Sequence, residues 1–260
     1  MARRSLALRT RSAASDEPRT ILHDWDPART AVVICDMWDA HHCVSAERRV
    51  AEMAPRVNEV AAALRGEGAL VIHAPAGCMD FYRDTPARRR AVEARHTPAP
   101  VHIDWNDWER DETAMLPATL TGPGACSCGS PEPCCEPGPP YPWTRQIASI
   151  GVAPEDAVSD DGQEIFNLLE ERGIGDVIVM GVHTNVCVLG RPYGIRQLVR
   201  LGKRPILCRD LTDSFHRDPR GHARGTEETI ALIERRWCPT VTSDQLAGGS
   251  PFRFREDDGR

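Results

Sequence analysis

Along the chain, short apolar runs alternate with longer stretches in which apolar residues recur every three or four positions. "TAVVIC" (Thr30 to Cys35) is β-branched and bounded by polar residues, which predicts a buried strand. "SAERRVAEMAPRVNEVAAALRGEG" (Ser45 to Gly68) puts Val50, Met53, Val57, Val60 and Leu64 on one face. That spacing predicts a helix, capped by Ser45 and bent at Pro55. "ALVIHA" (Ala69 to Ala74) predicts a strand, and "GQEIFNLLEERGI" (Gly162 to Ile174) a helix that Gly173 ends. "DVIVMG" (Asp176 to Gly181) and "RPILCRD" (Arg204 to Asp210) predict strands, joined by one helix over "CVLGRPYGIRQLVRLG" (Cys187 to Gly202). "GTEETIALIERRW" (Gly225 to Trp237) and "PTVTSD" (Pro239 to Asp244) close the series as helix and strand.

Alternating strands and helices, with strands that read as continuous apolar runs, predict an α/β fold. Its sheet is doubly wound and mostly parallel, with helices on both faces. In such sheets ligands bind beyond the carboxyl ends of the strands. That rule selects Asp36 after the first strand, His73 at the end of the second, and His183 to Cys187 after "DVIVMG". No G-x-G-x-x-G follows the first strand and no P-loop motif occurs, so a nucleotide site lacks its main support.

Composition narrows the organisation. With 260 residues, 41% of them hydrophobic, the chain can bury one sizeable core. Residues 21–248 are read as that single domain, between a basic, serine-rich tail at 1–20, expected to be disordered, and a second tail at 249–260. The segment Pro117 to Pro142 carries eight prolines and is incompatible with helix or central strand, so it reads as a surface insertion. The net charge of −6, with signs mixed throughout, argues against nucleic acid or anionic lipid as partner. No apolar run approaches the roughly 20 residues of a membrane span. The N-terminus lacks the apolar core of a secretory signal, so a cytoplasmic location is expected.

Ten cysteines are many for such a chain. Cys126, Cys128, Cys134 and Cys135 crowd into the insertion, where zinc ligation, disulfides and free thiols all remain open. Cys187 differs from the rest, because it stands where a strand gives way to a helix. A helix start carries partial positive charge and unpaired N–H groups, which predicts a lowered thiol pKa and a cradle for an oxyanion. Asp36 is placed to take the thiol proton and return it to a leaving nitrogen. The plainer alternative is a cysteine that packs at a strand–helix junction. Trp105 and Trp108 read as packing or loop anchors.

"VICDMWD", then "GVHTNVCVLG", "LCRDLTDS" and "TIALIERRWCPTVTSDQL", resemble the isochorismatase-like cysteine hydrolases over roughly Asp24 to Leu246. This family includes nicotinamidases, N-carbamoylsarcosine amidohydrolases and ureidoacrylate amidohydrolases. The resemblance implies a Rossmann-like three-layer fold, Asp36 as base and Cys187 as nucleophile. It also implies a cis peptide at Val182–His183 that aims the His183 and Cys187 N–H groups at an oxyanion.

Two departures from the family pattern stand out. No lysine occupies Pro154 to Ser159, where the family cation is expected; the one lysine is Lys203, and Arg145 is the expected substitute. The Asp-x-His that binds metal at the second strand in nicotinamidases is also absent, so no catalytic metal or other cofactor is expected. Asp39 and His41 form an Asp-x-His just after Asp36, and with Trp38, His73 and Thr184 they are expected to line the substrate pocket. The expected function is cysteine-dependent hydrolysis of a C–N bond in a small amide, lactam, carbamoyl or ureido compound. The expected partners are that small molecule and further copies of the chain. An isochorismatase-type vinyl-ether hydrolase and a non-catalytic binding protein are the alternatives.

Overall fold

The computed structural model describes residues 4–12, 15–105, 140–215 and 222–257. An eight-stranded sheet runs through it in the order β2-β1-β8-β7-β6-β3-β4-β5. Six strands form the parallel part: β3 (Thr30–Cys35), β4 (Leu70–Ala74), β5 (Ala157–Val158), β6 (Asp176–Val182), β7 (Arg204–Asp213) and β8 (Thr240–Val241). The other two, β1 (Arg4–Ser12) and β2 (Ser15–Trp25), form an antiparallel hairpin that joins the edge at β8. The expectation of a disordered N-terminal tail is therefore corrected. Leu6 and Leu8 alternate inward and are buried, while Arg9 and Arg11 bond to Glu234. Residues 252–257 of the expected C-terminal tail also belong to the fold: Phe254 is buried and Glu256 pairs with Arg48.

Side chains that alternate along the strands feed two cores. Val32, Ile34, Ile178 and Met180 pack with helix α1 (Val44–Gly66) and with Leu246 of α8 (Ser243–Ala247). The opposite face carries α3 (Pro86–Val92), α4 (Gly162–Glu171), α6 (Ile195–Arg200) and α7 (His222–Arg236) against Val33, Val177 and Val179. The short α2 spans Met79–Tyr82. Helix α1 runs through Pro55 and starts at the cap position Cys43, so Ser45 lies inside it rather than capping it.

The helix expected over Cys187 to Gly202 is two short ones, α5 (Cys187–Gly190) and α6. Pro192 is the reason. A residue before proline is pushed from helical into extended conformation, and Arg191 adopts φ −56°, ψ 157°.

Gly181 fixes the distance between the two central strands. Its φ is +112°, and a Cβ there would stand 2.1 Å from the Cys35 carbonyl oxygen. Gly181→Ala is expected to cost about 3 kcal/mol or more, since both the backbone and a neighbouring strand must move. Thermal melting checks this; an unchanged Tm would contradict the reading.

Candidate active site

Asp36 follows β3 directly, with φ +49°, a left-handed conformation that aspartate tolerates better than most residues. Its carboxylate is fully buried. Oδ1 accepts from the Ala76 N–H at 2.8 Å, and Oδ2 accepts from Arg191 Nε at 3.0 Å. The Cys187 thiol lies close enough to the carboxylate for each group to shift the other's pKa. Burial pushes the Asp36 pKa above the ordinary carboxylate value; Arg191, the thiol and the Ala76 N–H oppose that push.

Cys187 opens α5 and is buried. The Val182–His183 peptide is cis. The thiol pKa is raised, first by burial and then by the Asp36 charge, with Arg191 opposing. The expected lowering does not hold for the resting site, because α5 has four residues and its short dipole does not outweigh desolvation. The resting pair is a thiol beside a carboxylate.

The cation on Asp36 is Arg191, not Arg145. The Arg145 guanidinium lies 3.7 Å from Asp39 Oδ2 and over the Phe81 ring, and is partly exposed. Arg191 lies under the Trp105 ring, its guanidinium carbon 4.7 Å from the centroid. Burial works against the Arg191 charge, but Asp36 and Cys187 more than offset it and raise its pKa above the usual range. Lys203, at the opposite end of the sheet, bonds to Glu170 and the Ile174 carbonyl.

The other expected pocket residues divide. Trp38 stacks on Trp143 at 4.2 Å, and its Nε1 donates to the Ala76 carbonyl, so it borders the Asp36 loop. His41 meets His183 with the two Nε2 atoms 3.3 Å apart. Burial lowers the His41 pKa to about 3 and also lowers that of His183, so both rings are neutral near pH 7. Because His41 Nδ1 accepts from the Cys43 N–H, its proton sits on Nε2 and is given to His183.

Asp39 turns away to accept from the Thr144 N–H and hydroxyl and from the Arg145 N–H, which splits the Asp39–His41 pair expected from sequence. His73 does not line the pocket. It lies on the α1 face of the sheet, bonded to Gln146 and Asp156 at 3.0 Å each. Thr184 is also buried beneath the site, with its hydroxyl 2.7 Å from that of Thr212. Cys126, Cys128, Cys134, Cys135 and Trp108 lie outside the described residues. Among the described residues no group of three or more His, Cys, Asp or Glu is arranged to hold a metal. No helix among them is long and apolar enough to cross a membrane.

Sequence reasoning missed Arg191, the Ala76 N–H and Tyr193, whose hydroxyl donates to the Ala74 carbonyl at 3.3 Å. The "GRP" at Gly190 to Pro192 was the available signal for Arg191, since it ends the helix where the chain must turn back.

No family profile and no curated protein matches the sequence. Solved structures do match. An isochorismatase-family protein from Burkholderia thailandensis aligns at TM-score 0.50 and 15% identity, over 85% of this chain and 94% of that one. A cysteine hydrolase from Pseudomonas syringae pv. phaseolicola 1448A aligns at TM-score 0.49 and 16% identity, over 86% and 93%. Pyrazinamidase of Pyrococcus horikoshii, solved in complex with zinc, aligns at TM-score 0.39 and 16% identity, over 77% and 94%. The Burkholderia thailandensis likeness, together with the strand order, gives this chain the isochorismatase-like α/β fold.

Proposed function

We propose that the protein is a cysteine hydrolase that cleaves a C–N bond of a small amide, lactam, carbamoyl or ureido compound through a thioester on Cys187. The observation that carries this reading is the buried Asp36 carboxylate, held by the Arg191 guanidinium and the Ala76 N–H with the Cys187 thiol as its electrostatic neighbour. Moving the thiol proton onto Asp36 leaves the net charge of the buried site unchanged. Arg191 stays cationic throughout and stabilises the negative charge on whichever partner holds it.

The sulfur attacks the carbonyl carbon as Asp36 takes its proton. The oxyanion that forms is held by the His183 and Cys187 N–H groups. Asp36 then protonates the leaving nitrogen, the C–N bond breaks and the thioester remains. Water attacks the thioester with Asp36 again as base, releasing the acid and returning the proton to Cys187.

This scheme gives Arg191 a testable role. Arg191→Gln is expected to lower kcat/KM by roughly 100-fold, about 2.7 kcal/mol, and Arg191→Lys to recover part of it. The pH profile separates electrostatics from simple damage. Activity requires ionised Asp36, whose pKa is raised by burial and restrained by Arg191. Activity therefore falls as pH drops through that raised value. Removing the guanidinium lets the pKa climb further, so the acid limb of the Arg191→Gln profile moves to higher pH. An acid limb that stays in place, with unchanged kcat/KM, would remove Arg191 from the mechanism.

A further inference from the structure

A cavity of about 700 Å³ opens beside the carboxyl half of β7, outside the Asp36–Cys187 site. The register of β6 and β7 breaks alongside it. Val179 pairs with Leu207 but Gly181 pairs with Thr212, so residues 208–211 of β7 stand opposite Met180 alone. Such a bulge re-aims side chains out of the ladder, and Arg209 and Asp210 line the cavity.

The charges there are unequally matched. The Asp210 carboxylate is already occupied, accepting from the Ser243 N–H and hydroxyl and from the Phe252 N–H at 2.6–2.9 Å. Arg9 is held by Glu234 at 2.6 Å. Arg209 donates to the Thr240 hydroxyl at 3.3 Å and has no carboxylate within ion-pair distance among the described residues. Arg253, also in the wall, has no ion-pair partner among them either. Burial and the neighbouring Arg9 lower the Arg209 pKa, and the more weakly acting Asp210 and Glu234 carboxylates oppose them without restoring it.

The rest of the wall defines what fits. Thr226 and Thr242 bring hydroxyl groups, and Ile230, Phe252 and Phe254 form an apolar side. Glu227 and Asp257 also line the cavity and disfavour an extended polyanion such as nucleic acid.

We infer that this cavity binds a small organic anion. Its carboxylate or phosphate group is held by Arg209 and Arg253, and its apolar body lies against Ile230 and Phe252. Guanidinium groups suit such ligands because their paired N–H donors match two oxygens of a carboxylate or phosphate. The inference does not depend on the chemistry at Cys187, and binding is measured without turnover.

Calorimetry on the full chain with benzoate, phenyl phosphate and neutral benzyl alcohol tests it. The expected result is that an anion binds and benzyl alcohol does not, that Arg209→Gln weakens Kd by roughly tenfold or more, and that Arg253→Gln weakens it by a smaller factor. Arg235→Gln, which removes a surface partner of Asp16 away from the cavity, should leave Kd unchanged. Benzoate binding alone would identify a carboxylate ligand, and phenyl phosphate binding alone a phosphate ester. Absence of binding by both anions, or the same Kd in Arg209→Gln as in wild type, would overturn the assignment. Should Arg209→Gln not fold, the exposed Arg253→Gln decides in the same way.

Discussion

Cys187→Ala is expected to abolish amide hydrolysis, lowering kcat by about 10⁴-fold or more, roughly 5.4 kcal/mol of barrier. The fold should survive, because the side chain is small and the loop around it is held independently. Thr184 N–H donates to the Asp213 carbonyl, and Thr212 donates to the Gly181 carbonyl, neither through the thiol. Cys187→Ser should be nearly as inactive. A serine hydroxyl is far less acidic than a thiol, and Asp36 is a weak base for it. The check is product release measured beside a thermal melt. Hydrolysis at the wild-type rate in either variant, at unchanged Tm, would remove Cys187 from the mechanism.

Asp36→Asn carries the second largest effect, a fall in kcat of about 10³-fold, roughly 4 kcal/mol. Asparagine also tolerates the left-handed backbone found at this position, so conformation does not confound the test. It has one acceptor oxygen where aspartate has two. The Ala76 N–H and Arg191 Nε each use one of these oxygens, so asparagine leaves one donor unsatisfied or sets its NH₂ against the guanidinium. Some stability should be lost with the activity, since the part-buried Arg191 cation loses its partner. The thiol should not ionise instead, because burial, the larger cause of its raised pKa, is unchanged. Mass spectrometry of acid-quenched reactions should find no acyl adduct on Cys187 in this variant; a normal burst of adduct would show that Asp36 is not the base.

The parts of this site that were legible in the sequence are those that local pattern determines. Continuous apolar runs marked β3, β4 and β6, and the carboxyl-end rule then pointed to Asp36 and to the turn carrying Cys187. What long-range packing decides was not legible. Arg191 reaches Asp36 across 155 positions of sequence, and only the break before Pro192 turns it back. His73 also sits at the end of a strand, but the strand's alternation carries its ring to the α1 face, beyond the reach of a rule that ignores which face a residue occupies. The alternation of Leu6 and Leu8 in "RSLALRT" was a strand signal outweighed by the basic, serine-rich composition around it.

The most direct test of the Asp36–Cys187–Arg191 unit uses an activated acyl donor and needs no natural substrate. Wild-type protein is mixed with p-nitrophenyl acetate, quenched in acid, digested and mapped by mass spectrometry. The account predicts a burst of p-nitrophenol and one acetyl group, on the Cys187 peptide rather than on the other nine cysteines of the chain. The burst should be absent in Cys187→Ala and strongly slowed in Asp36→Asn. Acetyl groups spread over several cysteines, or an equal burst in Cys187→Ala, would contradict it.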